Sequence, residues 1–404
     1  MQKKIIALAV AGLVSGAAFA QSNVTIYGVA DVGVSVENAS NGSQFRVQSG
    51  QSAGSRLGFK GEEALGNGLK AVWTLEMGLD FSNGESTCHS TNTIACANAT
   101  TNNGAPAGAN VHGTTNNQSI FQRQAFAGLS SATLGSVTLG RQYTPAFQVK
   151  AKADVFGMGT AATLNNVIGL IPGQADRVDN SIAYTTPTWS GFSGQLVYSS
   201  GIENNTNVFS ANTSTEKAGK AWSGIVSYQG YGFDVGLSYQ TVNGLTGANG
   251  TTTGITYTGT ATEVSKARGW LLGGSYDFKV AKVFASYGSG KTTQSGLTST
   301  TDGDNLAKGN EWSVGVKVPF GAHSIGAQYA KYNDKLSLDN NFTVYGVGYE
   351  YAMSKRTALY ANYAHGNNKN TGVARLNSST NTGLTPTIVG DNISALQLGV
   401  RHSF

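Results

Sequence analysis

The chain ends in Leu396-Gln397-Leu398-Gly399-Val400-Arg401-His402-Ser403-Phe404. Leu396, Leu398, Val400 and Phe404 fall on one parity, with Gln397, Gly399, Arg401 and Ser403 on the other. Side chains along a strand alternate with a period of two, so this segment has one apolar and one polar face. The pattern recurs upstream. Phe233, Val235, Leu237 and Tyr239 oppose Asp234, Gly236, Ser238 and Gln240, and Trp312, Val314, Val316, Val318 and Phe320 oppose Ser313, Gly315, Lys317 and Pro319. Tyr345, Val347, Tyr349 and Tyr351 oppose Val344, Gly346, Gly348 and Glu350, while Leu359, Ala361 and Tyr363 oppose Tyr360, Asn362 and Ala364. A soluble sandwich would carry more charge on its polar face than the Gly, Ser and Gln seen here. The apolar side therefore meets lipid, and the polar side encloses water.

The connections between alternating segments differ in length by turns. Short ones fall at Glu62–Gly68, Ser130–Gly135, Thr188–Gly191, Gln229–Gly232, Lys279–Ala281, Gly321–Ala322 and Met353–Lys355. Long polar ones run through Asn38–Gly50, Asn83–Asn117, Tyr143–Asp176, Ile202–Lys217, Asn243–Val264, Thr292–Ala307, Lys335–Asn340 and Asn367–Gly390. These seven short and eight long connections separate sixteen strands. The expected fold is all-β: a sixteen-stranded antiparallel transmembrane barrel with short turns on one rim and long loops on the other. An even strand number lets the first and last strands pair and leaves no open edge.

Residues 1–20 read as a secretory signal peptide. Lys3 and Lys4 precede an apolar run from Ile5 to Val14, and Ala18-Phe19-Ala20 supplies a small-x-small cleavage site. Residues 21–404 then form a single domain. Removing the two leader lysines, with no acid among those twenty residues, takes the net charge from +5 to +3. That excess is mild and unclustered, so nucleic acid is not an expected partner. No later stretch is apolar for long enough to cross a bilayer as a helix. Cys88 and Cys96 lie in a polar segment, where an oxidising compartment favours a local disulfide. His89 and His112 nearby match no structural zinc spacing, and neither metal nor cofactor is expected.

Several segments resemble the Gram-negative trimeric porins of the β-proteobacterial type. Val24-Thr25-Ile26-Tyr27-Gly28-Val29-Ala30-Asp31 is similar to their first strand. Ser55-Arg56-Leu57-Gly58-Phe59-Lys60-Gly61-Glu62-Glu63, followed by Leu65-Gly66-Asn67-Gly68-Leu69-Lys70-Ala71, resembles their second strand, turn and third strand. Phe121 to Leu129, Leu139-Gly140-Arg141-Gln142, Arg177 to Ile182 and the terminal Arg401-His402-Ser403-Phe404 continue the resemblance in order. It implies a homotrimer in the outer membrane of a Gram-negative bacterium, in contact with lipid and lipopolysaccharide. It also implies a water-filled pore per subunit, narrowed by an inward-folded third loop, and a terminal Phe404 read by the barrel-assembly machinery.

Parity selects lumen residues independently. Leu57 and Phe59 take the lipid side, which turns Arg56 and Lys60 inward, and Leu69, Ala71, Trp73 and Leu75 leave Glu76 inside. Reading Phe126 as outward turns Arg123 inward, and reading Val178, Ile182 and Tyr184 as outward does the same for Arg177 and Asp179. The resemblance carries constriction arginines onto Arg56, Arg123 and Arg177, a wall acid onto Glu76 and an inward-loop acid onto Asp154, with Asp176 as its substitute. Arg141 shares the parity of Val137 and Leu139 and points outward, into a subunit contact, because a lone arginine facing lipid costs roughly 2–4 kcal/mol at midplane.

Wall arginines facing loop carboxylates would set a transverse field across a narrow lumen. The function expected is therefore passive diffusion of ions and small hydrophilic solutes, with modest anion preference. The alternatives are a surface-loop adhesin or receptor, and a substrate-specific channel, which would call for a ladder of aromatics in the lumen. Enzyme signals fail. Gly288-Ser289-Gly290-Lys291-Thr292 resembles the tail of a phosphate-binding loop, but position 285 is Ala285 where a glycine is needed.

Overall fold

The computed structural model describes residues 23–86, 120–201, 219–243, 251–252, 255–256, 265–293, 305–379 and 383–404. The leader, Cys88 and Cys96 lie outside the described residues, as do His89 and His112. The wall is an antiparallel sheet of β1 (Asn23–Ala39), β2 (Gly42–Ser49), β3 (Arg56–Gly66), β4 (Leu69–Gly78), β5 (Gln124–Ser131), β6 (Gly135–Tyr143), β7 (Arg177–Thr185) and β8 (Phe192–Ser199). It continues through β9 (Ala221–Gly230) and β10 (Phe233–Asn243). A small separate pair, β11 (Thr251–Thr252) and β12 (Ile255–Thr256), follows. The wall resumes with β13 (Lys266–Asp277), β14 (Lys282–Thr293), β15 (Asn305–Phe320) and β16 (His323–Asp334), and ends with β17 (Phe342–Ala352), β18 (Thr357–Asn368) and β19 (Ile393–Ser403).

The barrel closes where β1 pairs β19, with Val32 opposite Val400. Phe404 caps the seam: its backbone exchanges hydrogen bonds with Gly28 at 3.0 and 3.1 Å. Its ring lies against Gly28 on the outer face and stays 46 % exposed. Seventeen wall segments fill sixteen positions because β2 and β3 share the place beside β1, β2 along Val32–Ala39 and β3 along Asn23–Val29.

This corrects the expected loop at Asn38–Gly50, most of which is a hairpin that extends the wall. The break comes one step later, at residues 50–55, where leaving the ladder strands three backbone N–H groups. The Asp31 carboxylate collects them from Gln51, Ser52 and Ala53 at 3.2, 3.0 and 2.7 Å, and also accepts the Tyr360 hydroxyl at 2.6 Å.

The short rim shows why its turns are short. Asn67 and Gly68 both take positive φ, +50° and +77°, the twist of a two-residue hairpin that matches the strands it joins. The outer wall exposes Ile26, Leu139, Ile182, Leu237, Leu272, Val314, Val347 and Leu398, an apolar band suited to lipid.

Inside the barrel lies the segment between β6 and β7. Thr144 accepts the Phe147 N–H and starts α1 (Pro145–Ala153), with Pro145 in the first turn; a single-turn α2 (Asn165–Ile168) follows. The helix escaped sequence analysis because nine residues are too few for a clear period; tertiary packing holds it. Val149, Ala153, Leu164, Val167, Ile168 and Ile171 are buried together with Ile225, Leu271, Phe342 and Val344 of the wall. The loop rests on inward-facing glycines: Val149 on Gly236 and Gly273, Val155 on Gly315 and Gly326, Phe156 on Gly348, and Ala162 on Gly346. Gly159 approaches the backbone of Ser52 so closely that a Cβ there would fall 1.5 Å from the Ser52 carbonyl oxygen. The last long connection also folds inward. Leu376 joins the loop core, and the Ser379 N–H donates to the Gly159 carbonyl at 2.6 Å.

Candidate functional site

Between the loop and the wall of β3–β7 lies a cavity of ≈ 730 Å³, lined among others by Tyr27, Arg56, Glu76, Arg123, Tyr143, Asp176 and Arg177. Arg56 opens β3 and Glu76 lies near the end of β4, with Gly58 opposite Glu76 in the ladder. The Arg123 Nε donates to Glu76 Oε1 at 2.7 Å, and the Tyr27 hydroxyl donates to Oε2 at 2.9 Å. Arg56 Nε stands 3.7 Å from the same carboxylate, whose side chain is only 5 % exposed. The Tyr143 hydroxyl accepts from Arg123 Nη2 at 2.7 Å and from Arg177 Nη2 at 2.8 Å. The Arg177 guanidinium also lies 4.4 Å from the centre of the Tyr143 ring, and that ring stacks on Phe147 of α1 at 4.2 Å.

These contacts make one connected row: Tyr27, Glu76, Arg123, Tyr143, Arg177. Three arginines against one glutamate leave a surplus of two positive charges on this wall.

The acid expected to face the arginines from the loop does not do so. Asp154 is 3 % exposed and follows the last residue of α1. Its carboxylate accepts from the Thr163 hydroxyl and from the backbone N–H groups of Phe156 and Leu164, both at 2.7 Å. Burial pushes its pKa up, opposed by those donors. Asp176 does line the cavity, but it pairs at 2.7 Å with Lys150, whose ammonium is itself buried. The loop thus presents no unpaired acid to the arginines among the described residues.

Two parity arguments fail although the arginines still reach the cavity. Phe126 faces inward, beside Thr138 and Gln142. Arg123 stands just before β5, on a bend, and so escapes the alternation that would have sent it outward. Val178 is buried with the inward-facing Ala183 and Val197. There a bulge sets Asp179 and Asn180 against the single residue Arg141, with Asn180 at φ +47°, and parity slips by one.

The outward reading of Arg141, across from that bulge, is also overturned, because Arg141 lines the cavity. Its side chain is 12 % exposed, forms an ion pair with Asp179 and donates to the Gln122 carbonyl at 2.5 Å. Asp179 accordingly serves Arg141 and does not line the main cavity. Lys60 lies with its ammonium 5.3 Å from the centre of the Tyr27 ring, also off that cavity.

Sequence reasoning passed over Tyr27 and Tyr143. Tyr27 carried a signal, an aromatic on the parity opposite to Val24 and Ile26; Tyr143, at a strand end, carried none.

Known proteins bear on this geometry. A family model for Gram-negative porins matches residues 7–371. The chain is 30 % identical to outer membrane porin protein 32 of Delftia acidovorans and 28 % identical to an outer membrane porin protein of Bordetella pertussis, over the full length of both partners in each case. Among solved structures it is similar to an anion-selective porin from Comamonas acidovorans, with 26 % identity and a TM-score of 0.71, over 95 % of this chain and 100 % of that one.

Proposed function

Because the chain belongs to the Gram-negative porin family, and so acts as a general-diffusion channel of the outer membrane, we propose that the wall of Arg56, Arg123 and Arg177 tilts its passage toward anions. The observation that carries this is the surplus of two positive charges on the cavity wall, facing a loop whose Asp154 is consumed by its own backbone and whose Asp176 is neutralised by Lys150. Cations held at fixed positions beside a narrow water path raise the local anion concentration without binding any one anion tightly. The anion-selective Comamonas relative supports the same direction.

Glu76 works on the wall as the anchor of the row, spacing Arg56 and Arg123. Asp154 works through the shape of the loop. Lys60 adds positive charge near Tyr27, and Asp179 offsets Arg141. The assembly we infer is a homotrimer.

Planar-bilayer recording under a salt gradient tests these readings together. Conductance should rise in steps of three, with a reversal potential on the anion side. A unit charge about 5 Å from a passing ion in water attracts an anion and repels a cation by about 0.8 kcal/mol each, so Arg123→Ala should lower the anion-to-cation permeability ratio by roughly tenfold to sixteenfold. A native channel that prefers cations, or an unchanged ratio in the variant, removes this wall from the selectivity.

A further inference from the structure

On the short-turn side of the folded loop lies a second cavity, of ≈ 340 Å³, between the loop and the wall of β14–β18. One straight row of residues crosses that wall. Lys282 sits directly opposite Lys317, Lys317 opposite Gly326, Gly326 opposite Gly348, and Gly348 opposite Asn362. Lys282 and Lys317 share the inward parity of Phe284 and Gly315, and both line the cavity. The two glycines leave the middle of the row open, and Val155 and Phe156 of the loop lie over it.

Both ends of the row lack partners. Like charges placed directly opposite each other in a sheet destabilise it, and neither lysine forms an ion pair with a described residue. The acids at this level are already taken. Glu350 pairs with Arg401 at 3.0 Å, Asp277 pairs with Lys279 at 3.9 Å although it stands opposite Lys282, and Asp154 is held by its own loop. At the far end Asn362 is only 6 % exposed, and its Nδ2 is buried without an acceptor among the described residues. A buried donor left unmade costs stability, so an acceptor from outside the chain is favoured there.

The surface between the two ends is apolar. Phe284 is buried on the inner face with the Lys282 ammonium 5.3 Å from its ring centre, and Phe156 covers Gly348. Three strand spacings separate Lys317 from Asn362, about 14 Å along the wall. The lysine stem takes up part of that distance and leaves room for one ring. The volume is at the small end of cavities that hold ligands. An inorganic anion would satisfy the lysines alone. A ring with a carboxylate at one end and an oxygen acceptor at the other satisfies the ammonium pair, the apolar middle and the Asn362 amide together.

We propose that this cavity is a station for small aromatic carboxylates that carry a second acceptor oxygen, held there briefly after they pass the arginine wall. This rests on the reading of the channel as one that admits anions, and adds a preference among them.

Block of single-channel chloride current in planar bilayers tests it, using the full-length protein with 4-hydroxybenzoate, benzoate and acetate as separate probes. In the native channel 4-hydroxybenzoate should block at lower concentration than benzoate, and benzoate at lower concentration than acetate. Asn362→Ala carries no change of charge and should leave the reversal potential in place. It should weaken block by 4-hydroxybenzoate about fivefold, the worth of one hydrogen bond, and leave benzoate unaffected. K282Q/K317Q should weaken block by both aromatic carboxylates more than tenfold, since one ammonium about 4 Å from a carboxylate in water contributes about fivefold. Steps of native size in chloride show that each variant is folded. Equal block by the two aromatic carboxylates, or unchanged block in either variant, overturns the station. A native reversal potential on the cation side defeats the anion reading instead, and the Asn362→Ala difference between the two carboxylates distinguishes that failure from this one.

Discussion

The two sides of the lumen are built on opposite plans. On the side of β3–β7 the lumen-facing surface is made of long side chains: Arg56, Glu76, Arg123, Tyr143 and Arg177, tied to one another across strands. On the side of β10–β17 the wall strips itself to glycine at Gly236, Gly273, Gly315, Gly326 and Gly346, and a folded loop supplies the surface instead. The first plan places charge where water can feel it. The second places bulk and spends its polar groups internally, as Asp154 and Lys150 show. Narrowness and charge sign therefore come from different residues, and each can be altered while leaving the other in place.

The largest effect should come from the glycine side. A Cβ at Gly326 would fall 2.8 Å from Val155 and 3.4 Å from Phe156, both loop side chains. Gly326→Val therefore overpacks the docking of the loop by about 1–3 kcal/mol, and single-channel conductance should rise and fluctuate while the reversal potential keeps its sign. Unchanged conductance would mean that the loop is not held by this contact.

A smaller, opposite signature belongs to the arginine side. Glu76→Gln raises the wall surplus from two charges to three, so the permeability ratio should move further toward anions, by roughly tenfold to sixteenfold on the same Coulomb reasoning, with conductance little changed. A shift toward cations would show that Glu76 matters only by positioning Arg123.

Smallest in its effect on permeation is Tyr143→Phe, which keeps every charge but removes the acceptor shared by Arg123 and Arg177. Stability in a urea titration should fall by about 3 kcal/mol or more, for the loss of two hydrogen bonds to charged groups at about 1.5–3 kcal/mol each. The reversal potential should scarcely move; a large move would give the tyrosine a part in selectivity that its neutral hydroxyl does not suggest.

Legibility followed the regularity of the backbone. Arg56, although it opens β3, and Glu76 keep an unshifted register with their neighbours, and there alternation alone turns them inward. Arg123 stands on a bend and Arg177 beside the Asp179–Asn180 bulge, and there parity misread their neighbours Phe126 and Val178. The resemblance of the flanking motifs, rather than the alternation, pointed to those two. The inward glycines were visible as a departure from charge on the polar parity, but nothing local says that a loop some eighty or more residues upstream will lie on them.

What could be read along the chain is what depends on near neighbours. The two-residue alternation, the Asn67-Gly68 turn and the unequal connections are local properties, and they are enough for a closed barrel with lipid outside and water inside. What required the folded molecule is everything decided by residues far apart in sequence. The loop settles on glycines from five strands, and Asp154 turns to Thr163 and Leu164 rather than to the arginines. Lys282, Lys317 and Asn362, separated by loops and turns in the chain, become a single row only when β14 to β18 take their register. Alternation assigns each side chain to a face; register and loop path assign it a partner.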